Sequence, residues 1–170
     1  LVCNVGSTSL KYRLFDLTHG EETLSEGRME RVGTQAGAWT HKDAGVDPVK
    51  QTLPIPDYAT GIRNMLEALL SRVLSSMEAL DCVAFKVVHA QGVTGVQLLD
   101  ETVLSAMAAF NTVAPSHNPP YIAAIRQFQQ LLPNTPMIGS FETGFHATMP
   151  PKAYLYSVPI SLYKEHAIRR

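Results

Sequence analysis

Eight residues near the start of the chain, Asn4-Val5-Gly6-Ser7-Thr8-Ser9-Leu10-Lys11, gather a carboxamide, three hydroxyls and an ammonium around one glycine. A small-residue turn exposes successive backbone N–H groups, and Ser7, Ser9 and Lys11 add the donors and positive charge that a phosphate needs. The Gly-x-x-x-x-Gly-Lys-[Ser/Thr] spacing of a P-loop is absent, and a strand pattern follows the turn rather than a helix. An ordinary hairpin turn uses the same residue types. A second cluster, Ala114-Pro115-Ser116-His117-Asn118-Pro119-Pro120, puts His117 just before a helix start, where the macrodipole and unpaired N–H groups favour an anion; equally, Asn118 is a plain cap. In Ser140-Phe141-Glu142-Thr143-Gly144-Phe145-His146, a carboxylate and an imidazole follow an apolar run, a position from which they can hold a metal, move a proton or simply face solvent. Lys86, alone inside Val83-Ala84-Phe85-Lys86-Val87-Val88, needs a counter-anion or an exit to water, because burying it unpaired costs several kcal/mol. His89, at the end of that run, shares the ambiguity: structural partner or substrate contact.

These groups must be positioned by a framework. Residues 1 to 5 read as a short apolar strand, residues 10 to 17 alternate with period two, and residues 23 to 32 complete a hairpin-linked meander of three strands. Residues 33 to 56, rich in Gly, Pro, Thr and charge, read as a surface excursion. After Pro56 the apolar residues recur at three and four from Tyr58 to Met77, a helical period that Asp57 is placed to cap. Residues 82 to 88 read as a central strand buried on both faces. Helices follow Asp100 and begin at Asn118, where Pro119 takes the first helical position; residues 137 to 141 form the next strand. The order predicts an α/β domain: a mixed sheet with helices packed on it and chemistry at the strand ends.

Composition narrows the partners. The 170 residues carry a net charge of −1, which argues against a broad nucleic-acid footprint. No apolar run approaches the roughly 18 residues that span a bilayer, and no secretory signal opens the chain. Cys3 and Cys82 sit in no metal spacing, which favours a reducing, cytoplasmic setting. Only 17% of residues are charged, below the roughly 25% usual for soluble domains, which predicts apolar surface awaiting a cover. Leu1 already belongs to a strand and Arg170 ends a helix-like stretch without a cap, so the chain reads as cut from something larger.

Taken in order, the clusters resemble the N-terminal half of the acetate kinase family, including the propionate kinases, within the sugar kinase, Hsp70 and actin superfamily. The family's Asn-x-Gly-Ser-Ser-Ser-x-Lys is similar to Asn4–Lys11, its His-Arg-Val-Val-His-Gly-Gly to Phe85–Gln91, and its Ala-Pro-Leu-His-Asn-Pro to Ala114–Pro119. Its Phe-Asp-Thr-Ala-Phe-His-x-Thr-Met-Pro is similar to Phe141–Pro150. The resemblance covers nearly the whole of residues 1–170. It implies a ribonuclease H-like mixed sheet, with a three-strand antiparallel meander, parallel strands and flanking helices, as in actin-like ATPase domains. It further implies phosphoryl transfer between ATP and a short-chain carboxylate, or from the acyl phosphate, with Mg2+. Asn4 would then help hold the metal, Ser7, Ser9 and Lys11 would lie near the nucleotide, and His117 would face the transferring phosphoryl group. Lys86 and His89 would bind the carboxylate, with Lys86 in the place of an arginine; Glu142 would take the place of the catalytic aspartate. The resemblance also implies a C-terminal half that supplies most nucleotide contacts, and a homodimer in the full-length form.

Two departures fall on sensitive positions. Glu142 adds a methylene to the aspartate, and Lys86 loses the planar fork that grips a carboxylate through two parallel bonds. A different acid, or a degenerate homologue that binds an anion or a protein without turnover, are the readings those departures raise. A stand-alone interaction domain is a third, though strand-end polar residues are not what a core requires.

Overall fold

In β2 (Ser9–Asp16) the side chains of Leu10, Tyr12 and Leu14 are buried while Lys11 and Arg13 stay exposed, so one face of the sheet is apolar and the other charged. The computed structural model describes residues 1–170. β1 (Val2–Val5) pairs antiparallel with β2, and β2 with β3 (Glu22–Glu30). The meander then continues through β4 (Thr34–Asp43) and β5 (Val49–Ile55), so residues 33 to 56 form two strands and not the expected surface excursion. Pro54 is tolerated because β5 is the edge strand, where a missing N–H breaks no ladder. Gly37, Trp39 and His41 alternate on the inner face of β4, but a glycine and a histidine give that alternation little apolar contrast.

Beyond α1 (Tyr58–Arg72), β6 (Val83–Val87) returns to lie parallel to β1. β7 (Gly95–Leu98), α2 (Glu101–Ala109) and α3 (Asn118–Leu131) lead to β8 (Met137–Phe141), which inserts between β6 and β7. The eight-stranded order is β5-β4-β3-β2-β1-β6-β8-β7, with β1, β6 and β8 mutually parallel. It is the ribonuclease H-like mixed sheet expected, with five meander strands in place of three. Short helices α4 (Pro151–Tyr154) and α5 (Ile160–His166) close the chain. No helix is long and apolar enough to cross a membrane.

The three long helices bury one face of the sheet only. Ile62, Met65 and Leu69 of α1, Leu104 and Met107 of α2, and Ile125 and Phe128 of α3 join Cys3, Val5, Leu10, Phe85, Val87 and Phe141 in a single core. β6 is therefore buried on one face by Val83, Phe85 and Val87, while Ala84 and Lys86 remain half-buried on the other; the expectation of two buried faces fails because nothing packs there. Cys3 lies wholly inside this core, and burial pushes its thiol up to about 12.

One polar network crosses the meander. Trp39 Nε1 donates to the Tyr12 hydroxyl at 3.0 Å, and that hydroxyl lies 2.6 Å from His41 Nδ1. His41 Nε2 is 3.0 Å from Asp43, whose other oxygen accepts from Arg72 at 3.4 Å. With Trp39 as donor, Tyr12 gives its proton to Nδ1 and His41 donates from Nε2. Only a glycine fits opposite: a Cβ at Gly27 would come within 2.2 Å of the Tyr12 ring.

Candidate functional site

Parallel strands send their C-terminal ends to one edge, the usual place for chemistry in such sheets. Here β1, β6 and β8 deliver the Gly6–Ser9 turn, His89 and Glu142. The turn is pinned by its backbone. Gly6 N–H donates to the Ser9 carbonyl at 2.7 Å, the Gly6 carbonyl accepts from the Tyr58 hydroxyl, and the Thr8 carbonyl accepts from Val32 N–H at 3.0 Å. A Cβ on Gly6 would lie 2.5 Å from Ser9 Oγ, so a larger residue there would force the Ser9 hydroxyl to another rotamer. Ser7 and Thr8 project into solvent and Ser9 is half-buried.

Asn4 and Lys11 face each other across β1 and β2 and are both exposed on the uncovered side of the sheet. They line a groove of about 670 Å³ together with Arg13, Arg28 and Lys42. Lys86, Glu142 and His117 lie outside that groove, which touches the strand-end cluster only at one side.

Lys86 and Glu142 meet. The parallel register sets Lys86 beside Ser140 and Val87 beside Phe141, and Glu142 opens the 3₁₀ turn that follows (Glu142–His146). Its Oε1 lies 2.8 Å from Lys86 Nζ. The hydrogen bond to Glu142 holds the ammonium above its ordinary value, with burial opposing. The two side chains remain 43% and 52% exposed, so the pair is open to a ligand. Tyr121 of α3 stands beside them: burial raises its phenol, the Lys86 charge opposes and the Glu142 charge adds. Its hydroxyl also reaches Asn4 Oδ1 at 3.5 Å, linking the two halves of the cluster.

The histidines are less closely joined. His89 is half-buried, its ring edge-on to Phe110 with centroids 6.1 Å apart. His117 is exposed in the N-cap position of α3 and makes no capping bond. The expected supply of unpaired N–H groups there does not exist. Asn118 N–H donates to Ala114 at 2.9 Å, Pro119 and Pro120 have none, and Tyr121 N–H donates to His117 at 3.1 Å. An anion at this end would therefore meet the exposed His117 ring and not a row of free helix N–H groups. His146 packs edge-on to the exposed Phe145 and makes no bond to the Lys86–Glu142 pair.

Three residues carry weight that their sequence context concealed. Asn118, fully buried, donates to the carbonyls of His89 and Met107, fastening β6 and α2 to the start of α3. Tyr121 fills a helix position that reads as core. Thr143 shares a hydroxyl–hydroxyl bond of 3.0 Å with Thr94, tethering the turn that carries Glu142. A single asparagine ahead of two prolines was the only sequence signal for any of them.

A family model described as the acetokinase family matches residues 1–170. The acetate kinase of Clostridium beijerinckii is 40% identical over 175 residues, covering all of this chain and 43% of the relative. That of Carboxydothermus hydrogenoformans is 38% identical over 174 residues, covering 44% of its length. Among solved structures, a propionate kinase from Francisella tularensis superposes on the whole chain with a TM-score of 0.89 at 29% identity. Porphyromonas gingivalis acetate kinase does so with a TM-score of 0.88 at 26% identity. In each solved relative the match covers 43% of that chain, so the present chain spans less than half the length of the proteins it matches.

Proposed function

Because the chain belongs to the acetokinase family, we propose that it is the N-terminal domain, residues 1–170, of a kinase that transfers phosphate between ATP and a short-chain carboxylate. The remainder of the protein would complete the cleft and supply most nucleotide contacts. The observation that carries this reading is the accessible Lys86–Glu142 pair, 2.8 Å apart at the strand ends that also present the Gly6–Ser9 turn.

Phosphoryl transfer asks for little covalent chemistry from the protein, and much positioning and charge. Lys86, on the rigid β6, would anchor the substrate carboxylate, with His89 beside it on the same strand end. Ser7, Ser9 and Lys11 offer hydroxyl and ammonium donors to phosphate oxygens, from a turn held by Tyr58 and Val32. His117, exposed and uncommitted, is available to a transferring phosphoryl group. The donor set suits magnesium: no cluster of three or more His, Cys, Asp or Glu groups exists, but Asn4 offers a carboxamide oxygen and Glu142 a carboxylate. That ion typically keeps several waters and binds through one or two carboxylates plus substrate phosphates. Held there, the ion would supply positive charge that offsets the negative charge of the phosphates.

Exposed Phe145, Tyr156, Val158, Ile160 and Ile168 support a surface that the rest of the protein covers. A homodimer of the full-length form and a cytoplasmic setting complete the proposal. The test is an assay of the full-length protein with ATP, Mg2+ and acetate, propionate and butyrate, trapping acyl phosphate as the hydroxamate. Transfer to at least one acid is expected; transfer to none overturns the reading.

A further inference from the structure

Lys86 has one partner. No other carboxylate or carbonyl shares its ammonium, and Glu142 has no other ion pair or side-chain hydrogen bond. The two ends of the pair are held unequally. Lys86 stands on a strand bonded on both sides, to β1 and to β8. Glu142 stands on a single 3₁₀ turn, tethered one residue on by Thr143 to Thr94 and packed through Gly144 against Gly95. Lys86 is rooted in a strand paired on both sides, and Glu142 hangs from a short turn.

We propose that Glu142 is a latch on Lys86, occupying the ammonium until the substrate's own carboxylate displaces it, so that acid binding and release of Glu142 are one exchange. This rests on Lys86 being the carboxylate anchor. An ammonium has three donors and could in principle hold both carboxylates, but the assembly would then carry a net negative charge beside the buried Tyr121. Replacing one carboxylate by another keeps Lys86 neutralised throughout. The exchange is also shallow, because half-exposed ion pairs contribute little and are readily broken. Its consequence is order: Glu142 becomes free to act elsewhere in the cleft only when the acid is seated.

The experiment is a titration of the full-length protein with ¹³C-labelled acetate followed by NMR, without nucleotide. Glu142→Gln keeps the shape and removes the competing charge, so acetate should bind about three- to fivefold more tightly than to the unmodified protein. Acetamide, which has no charge to exchange, should bind both alike. Unchanged or weaker acetate binding by Glu142→Gln would overturn the latch. Lys86→Met separates the premise: if it binds acetate as the unmodified protein does, the anchor reading fails, whatever Glu142 does. Neither result depends on turnover, so a failure of the kinase reading would be seen separately in the phosphoryl-transfer assay.

Discussion

Asn118 donates one carboxamide hydrogen to the His89 carbonyl at 2.9 Å and the other to Met107 at 2.8 Å, making one buried side chain the fastener between β6, α2 and α3. Asn118→Ala would leave both carbonyls unpaired out of reach of solvent. Each orphaned group is worth about 1–3 kcal/mol, so urea unfolding should show a loss of roughly 2–6 kcal/mol. A shift of the midpoint too small to measure would mean that water replaces the amide.

Lys86→Met should act on binding and not on the fold. In the full-length protein the carboxylate KM should rise tenfold or more, with a smaller change in kcat. The ion pair itself is half-exposed, so the melting temperature should fall by no more than about 2–4 °C. The sign of its pH dependence follows from the raised Lys86 value. Its contribution is complete below the ordinary lysine range and disappears as pH rises through the still higher folded value. The difference in melting temperature between the two proteins should therefore be flat from pH 6 to about pH 9.

Tyr12→Phe reverses that separation. It strands Trp39 Nε1–H and His41 Nδ1 in the meander, away from the strand ends, and should destabilise by about 1–3 kcal/mol in thermal or urea melts. Steady-state KM values in the surviving folded protein should stay within twofold; a larger change would show that the network reaches the site.

Asp57 caps α1 by accepting from Thr60 N–H at 2.7 Å, and that bond holds its carboxyl below the ordinary range. Asp57→Ala should remove about 1 kcal/mol. Because the folded value is depressed, the contribution is present above the ordinary aspartate range and fades as pH falls through the folded value. Melts at pH 7 should separate the two proteins fully, and the gap should begin to narrow once the pH falls below the ordinary aspartate range.

The helices and the parallel strands were readable because their residues repeat a physical period. Ile62, Met65, Leu66 and Leu69 mark one side of α1 behind an aspartate cap, and residues 137 to 141 form an apolar run between turn residues. β4 and β5 were not readable, because their inward positions include Gly37 and His41 and an edge strand tolerates Pro54. At the site, the residue types were visible but their meetings were not. Lys86 and Glu142 come together only through the β6–β8 register, which no local pattern encodes. Pro119 is legible as a helix-starting residue, and the missing N–H groups of Pro119 and Pro120 decide how an anion could be held there.

Strand alternation places Cys3 in the core and its neighbour Asn4 on the open face. A thiol raised to about 12 and shut off from water is nearly inert to alkylating reagents. Cys82, half-buried, should react first and can be blocked or replaced by serine. The remaining labelling rate then becomes a clock for the opening of β1: mass spectrometry of the alkylated protein would time how often the strand carrying Asn4 leaves its place, one residue away from the chemistry.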